Sequence, residues 1–171
     1  MKLAYVQSSR RGGTDQLLTE FARRQIATGR RVIGVVQTNT DRPNDHRCDM
    51  DVQLLPGGRT IRISQDLGAG SRGCRLDPEA LEQAVAELGP QIEAGADLLI
   101  INKFGKHEAD GRGFRGLIAR ALELEIPVVV GTNALNEAAF LEFSAGFALK
   151  ISADQTHLQE WMDSSHLDLT G

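Results

Sequence analysis

The stretch Lys2–Gly13, KLAYVQSSRRGG, decides how this chain is read. Lys2–Gln7 is a short apolar run suited to a buried strand, and Ser8–Gly13 is a tight polar loop. Thr14 then opens a segment in which Leu17, Leu18, Phe21 and Ala22 share one helical face. Strand, glycine-containing loop and helix, in that order, turn backbone N–H groups and a helix N-terminus toward one spot, which suits an anion. Ser9, Arg10, Arg11, Gly12, Gly13 and Thr14 are therefore the first candidate ligand-binding residues.

Outward from this stretch, strands and helices alternate. The first helix spans Thr14–Thr28, with Asp15 and Glu20 toward its start, Arg23 and Arg24 toward its end, and Gly29 as its stop. Arg31–Thr38 is a second buried strand, and Asn39–Asp49 is polar and turn-rich. Met50–Leu55 and Thr60–Ser64, joined through Pro56, Gly57 and Gly58, have the pattern of a hairpin. Gln65–Asp77 is a second glycine-rich loop. Asp77 as N-cap and Pro78 at the first helical position start a helix that runs to about Ala94. Asp97–Asn102 is a continuous apolar run, as in a central parallel strand. Lys103–Gly113 is an exposed loop. There follow a helix at Phe114–Glu123, a strand at Pro127–Thr132, a helix near Leu135–Ser144, a strand at Phe147–Ile151 and a helix from Asp154. The last residues, from about 164 to 171, form a flexible tail.

This alternation predicts an α/β fold: one domain over residues 1–171, a three-layer, mostly parallel sheet, and a β-hairpin insertion at about 49–65. In such folds ligands sit at the carboxyl ends of the strands. The loops Ser8–Gly13, Asn39–Asp49, Lys103–Gly113 and Thr132–Leu135 should meet on one rim, with Gln65–Asp77 folding over it.

A length of 171 residues fits one core-forming domain. With 41% hydrophobic and 25% charged residues the composition is that of a globular protein. A net charge of −4 gives no general attraction to nucleic acid or to an anionic membrane. No leader pattern and no run long enough to span a bilayer is visible, so the expectation is a cytoplasmic protein with Cys48 and Cys74 as reduced thiols. Nothing in the chain indicates an oligomeric state.

A phosphate-binding P-loop reads GxxxxGK[ST]; its N–H groups cradle phosphates, its lysine neutralises them and its hydroxyl holds magnesium. On that frame Gln7–Thr14 keeps Gly12 and Thr14, but Gln7 replaces the first glycine and Gly13 replaces the lysine. Active enzymes of this kind also end a central strand in an acid that holds the metal. Here that strand ends in Asn102 and Lys103, a neutral side chain and a cation. Both halves of the magnesium–phosphate apparatus are altered together, which argues for binding without hydrolysis. Two further clusters supply charge. Ser71, Arg72, Gly73, Cys74 and Arg75 form an arginine-flanked, glycine-rich segment suited to a tetrahedral dianion. Lys103 and Lys106 add ammonium groups at a strand end. His107 and Glu108 are acid–base types, but neighbours in sequence often point apart.

The stretches VVQTN, RCDMDV, ISQDLGAGSRGCRLD and NKFGKHEADGRGF resemble a bacterial family of unassigned function whose genes are often found beside molybdate-transport genes. More distantly, the layout resembles the P-loop nucleoside triphosphatases described from thermophiles. There a Walker loop is followed by a hairpin, a helix and a strand ending in an Asp-Glu pair before a Gly-Lys. In this chain Gly105 and Lys106 keep the second pair, while Asn102 and Lys103 replace the first. The resemblance implies a sheet of P-loop NTPase type and a link to molybdenum metabolism. The ligand expected is a small anion, molybdate or a phosphate-bearing nucleotide, and a molybdenum-metabolism protein is the expected partner. Because molybdenum is thiophilic, Cys48 and Cys74 are candidate metal ligands. Two other readings stand beside this one: an active nucleoside triphosphatase using Asp49, Asp51 or Asp66, and a regulatory or scaffold module.

Overall fold

A computed structural model of the chain describes residues 1–43, 48–65 and 75–164. In order the elements are β1 (Leu3–Val6), α1 (Gly13–Ala27), β2 (Val32–Asp41), β3 (Cys48–Leu55), β4 (Thr60–Arg62) and α2 (Pro78–Glu93). Then come β5 (Leu98–Asn102), α3 (Lys106–Ala109), α4 (Arg115–Glu123), β6 (Val128–Gly131), α5 (Glu137–Phe143), β7 (Leu149–Lys150) and α6 (Gln155–Asp163). Among the described residues the strands form one seven-stranded sheet in the order β4-β3-β2-β5-β6-β1-β7. The pairs β1–β6, β1–β7, β2–β5 and β5–β6 are parallel, and only β3 and β4 run against their neighbours.

The apolar runs explain the layers. Along β5, Leu99 and Ile101 face the cluster under α2, α4 and α5, while Leu98 and Ile100 face the cluster under α1 and α6. A strand buried on both faces reads as a continuous apolar run because each successive side chain meets a different helix layer. Gly34 of β2 shows how close the neighbouring backbone lies. Its φ is +135°, and a Cβ built there would stand 1.9 Å from the Ile100 carbonyl oxygen. The α2 start is built as its sequence indicates: Asp77 accepts from the N–H groups of Glu79 and Ala80 at 3.1 and 3.3 Å, with Pro78 at the first helical position.

Three readings of the sequence are corrected by the fold. The stretch Asn39–Asp49 is not a loop throughout. β2 continues to Asp41 and pairs with β3 in antiparallel register from Gly34↔Leu55 to Asp41↔Cys48, so β-pairing overrides its polar composition. Lys103–Gly113 is not loop throughout either, since it carries α3. Cys48 is disulfide-bonded rather than a reduced thiol, and a disulfide sulfur has no thiolate charge with which to hold molybdenum. Cys74 and the tail beyond Ser164 lie outside the described residues. Among the described residues no helix is long and apolar enough to cross a membrane.

Candidate functional site

The loop after β1 is stitched to itself. The Ser8 N–H donates to Thr14 Oγ1 (2.9 Å), the Arg10 N–H to Ser8 Oγ (3.1 Å), and the Gly13 N–H to the Arg10 carbonyl (2.9 Å). Gly12 adopts φ +70° and caps α1 without a side-chain bond. At Gly13, where a P-loop has its lysine, an added Cβ would lie 2.3 Å from Ser8 Oγ and 2.8 Å from Ser8 Cβ. A side chain at residue 13 would therefore meet Ser8. Ser9, Arg10 and Arg11 are exposed. Arg11 pairs with Asp41 at 2.8 Å, and Arg10 donates to Gln16 at 3.2 Å.

At the end of β5 the side chain of Asn102 is fully buried, and its Nδ2 donates to Asp15 Oδ1 on α1 at 2.8 Å. The bond reaches past β6, which lies between β1 and β5. Gly131 of β6 leaves the room: a Cβ there would be 2.8 Å from Asn102 Oδ1 and 2.9 Å from Leu18 Cδ1 and Thr14 Cγ2. Burial raises the Asp15 carboxyl above its ordinary range, while the Asn102 bond and the Lys103 charge hold it back.

On the sheet face opposite α1 lies a cavity of about 280 Å³. Its polar lining includes Gln37, Lys103, Lys106, Glu108, Asn133 and Asn136, and its apolar wall Met50, Ile63, Leu76, Leu81 and Phe114. Glu108 is only 3% exposed. One of its oxygens accepts a long 3.5 Å bond from the Gly105 N–H, and the other, Oε2, is buried without a partner among the described residues. Burial pushes this carboxyl up to about 7; the backbone N–H groups of Gly105 and Glu108 and the Lys103 charge oppose the shift, and the Glu82 charge adds to it. Glu82 itself accepts from the Gly113 N–H at 2.8 Å and meets His107 Nε2 at 3.0 Å. His107 and Glu108 are therefore not a paired acid and base.

The predicted residues do not all converge. Gly12 lines a second hollow, of about 360 Å³, with Asp15, Gln16, Thr19 and Thr38. Lys103 and Lys106 line the 280 Å³ cavity, and Gln37 borders both. Arg75 is exposed, with its carbonyl accepting from the Gln65 N–H. Ser71, Arg72, Gly73 and Cys74 lie outside the described residues. Asp15 and the cavity residues Gln37, Asn133 and Asn136 were not singled out from the sequence. Asn133 sits just beyond the end of β6 on the predicted rim, which is the signal that marks it, whereas Gln37 lies inside β2. Among the described residues no group of three or more His, Cys, Asp or Glu side chains is arranged to hold a metal ion.

The fold built from these elements, a mostly parallel seven-stranded α/β sheet, is shared with two solved structures. The solution structure of a human cancer-related nucleoside triphosphatase superposes with a TM-score of 0.60 at 16% identity, over 88% of this chain and 87% of that one. The crystal structure of THEP1 from the hyperthermophile Aquifex aeolicus gives 0.63 at 15% identity, over 95% of both chains. The chain itself belongs to the family described as a protein of unknown function (DUF2478), which it matches over residues 3–161. It is also 33% identical over 147 residues to the molybdenum import ATP-binding protein ModC 2 of Bradyrhizobium diazoefficiens. That match covers 86% of this chain and 16% of that protein, so the chain spans a small part of this relative's length.

The groups that would meet a divalent cation at this strand end are mixed in character. The Thr14 hydroxyl accepts from Ser8, Asn102 turns its NH₂ toward Asp15, and Lys103 brings a positive charge to the same strand end. Asn102 Oδ1 is buried without a partner among the described residues and the Asp15 carboxyl lies beside it, so oxygen donors are present, while the adjacent positive charge opposes a divalent cation.

Proposed function

We propose that this chain is a ligand-binding protein of molybdenum metabolism, holding an oxyanion such as molybdate, or the phosphate of a nucleotide, at the strand-end rim without hydrolysing it. The observation that carries the reading is the contact at Gly13, where Ser8 leaves no room for the side chain that a P-loop carries at that position of the motif. The altered end of β5 supports it, since Asn102 supplies an amide where a hydrolase needs an acid. The helix N-terminus at Gly12 is suited to an anion, and Arg10 and Arg11 are exposed in the loop before it. The relative's named role in molybdenum import supports the choice of oxyanion, and a component of that import is the partner this reading expects.

A thermal-shift series tests it: purified protein with molybdate, tungstate, sulfate, phosphate, ATP or GTP, each with and without magnesium. A ligand that binds the folded state raises the midpoint by mass action. A shift with molybdate and tungstate but not sulfate identifies an oxyanion binder. A shift with nucleotide that is independent of magnesium, and without phosphate release, identifies a nucleotide binder. Magnesium-dependent phosphate release overturns the reading in favour of an enzyme. No shift with any ligand overturns it in favour of a module that acts through a protein partner.

A further inference from the structure

Residues 110–114, between α3 and α4, cross directly over the Glu108 carboxyl. Gly113 makes the contact: a Cβ there would stand 2.6 Å from Glu108 Oε2 and 2.9 Å from its Cδ, so only a glycine lets the chain lie this close. Gly111 and Gly113 take φ of +94° and +63°, the left-handed backbone that glycine adopts without strain. The N–H groups of Asp110, Gly111 and Arg112 donate back to α3, to the carbonyls of Lys106, Glu108 and His107 at 2.9, 3.0 and 3.0 Å. The Gly113 N–H instead reaches α2, donating to Glu82 Oε1 at 2.8 Å. Beneath it Glu108 Oε2 is buried and has no partner among the described residues. Such a place is tolerable for a neutral carboxyl and costly for a carboxylate, which has neither water nor a donor on that oxygen.

The charged groups around this carboxyl come from several elements. Glu82 faces it from α2 with a second negative charge, and Lys103 from the end of β5 with a positive one. On α3 itself Lys106 is exposed, and the His107 ring turns to Glu82 at 3.0 Å. Asp110 and Arg112 are exposed on the crossing segment, and Arg115 of α4 donates to the Glu108 carbonyl, not to its carboxyl, at 3.5 Å. We propose that residues 110–114 are a proton-operated strap, closed over the neutral Glu108 carboxyl and lifted when that carboxyl ionises. Ionisation sets two carboxylates, Glu82 and Glu108, against Gly113, and like charges in a dry place repel strongly. Lifting gives Oε2 its water and separates the two charges, at the loss of the Gly113–Glu82 bond. Glu108 and Phe114 line the 280 Å³ cavity, so the strap couples the shape of that cavity to pH.

Under the closed strap, burial raises the Glu108 carboxyl from 4.5 to about 7; under the lifted strap it is hydrated and ordinary. Opening is therefore rarest below pH 4.5, grows as the pH rises, and levels off above 7. The whole rise is at most about 300-fold, the ratio of the two proton affinities. Amide hydrogen exchange of the intact protein reads it, followed by NMR from roughly pH 4 to 8 and referred to the intrinsic rate at each pH. The Gly113 N–H is expected to be less protected than the amides of β5, and its protection to fall by tens to hundreds of fold across that window. In Glu108→Gln, which has the same shape and no proton to lose, the protection of Gly113 is expected to stay level. In His107→Gln the fall is expected to remain, since the titrating group is the carboxyl and not the imidazole beside it. The proposal is overturned if protection is level in the wild type, if the fall persists in Glu108→Gln, or if it vanishes in His107→Gln. Gly113 protection equal to that of β5 at every pH would overturn it too, because global unfolding alone would then expose Glu108.

Discussion

Replacing Glu108 by Gln should make the protein more stable at neutral and alkaline pH, an uncommon outcome for a buried polar residue. Burial raises its carboxyl from the ordinary 4.5 to about 7. The groups acting on it are Glu82 on α2, Lys103 at the end of β5, and the backbone N–H groups of Gly105 and Glu108. A raised carboxyl holds its proton more tightly in the folded state than in the unfolded one. Its contribution is therefore fully present below pH 4.5 and is lost as the pH climbs through 7. A tenfold difference in proton affinity is worth about 1.4 kcal/mol, so the folded state loses on the order of 3 kcal/mol between those limits. Gln has the same shape and no charge to bury. The stability difference between variant and wild type should be flat at pH values below the ordinary carboxyl range. It should then grow in the variant's favour by about 3 kcal/mol at roughly pH 8. For a chain of this size that is roughly 6–12 °C in Tm. Urea unfolding in closely spaced buffers from acid to mildly alkaline pH measures it. Other carboxyls, Asp15 among them, titrate equally in both proteins and cancel in the difference. If the two stability curves run parallel across the whole range, Glu108 is not buried in the manner described.

Other perturbations test other parts of the fold. Gly34→Ala sets a Cβ against the Ile100 carbonyl at a positive φ, so it should cost more than about 3 kcal/mol and show as loss of soluble, cooperatively melting protein. Lys2 donates to the carbonyls of Met162 and Ser164 at 2.9 and 2.7 Å and lies over the Trp161 ring. Lys2→Met leaves both carbonyls short of a donor, and should speed hydrogen exchange across α6 and alter Trp161 fluorescence, while exchange in β5 stays slow. Asp77→Ala removes the α2 cap and should cost about 1 kcal/mol, read as a Tm lower by roughly 2–4 °C. Gly13→Lys restores the missing residue type but drives into Ser8; it should lower Tm and leave phosphate release at background.

By itself the sequence determined the succession of strands and helices, because each depends on local periodicity and local end signals. The two-sided apolar run of β5, the Asp77–Pro78 start of α2 and the Gly29 stop of α1 are all of this kind. So are the residue types Gly13 and Asn102, which the chain shows directly. Tertiary structure alone decided what surrounds them. Ser8 packs against Gly13 through a loop that folds back on itself, and Asn102 meets Asp15 of α1 beside Gly131, where a larger residue would crowd the Asn102 side chain. The polar stretch after Thr38 pairs as a strand because β3 returns alongside it, a partner that composition does not reveal. Glu108 reads as one more charged residue in a polar segment. Its burial is set by walls that come from β2, β3, α2 and the ends of β5 and β6, far apart in the chain, and burial is what gives a carboxyl its chemistry.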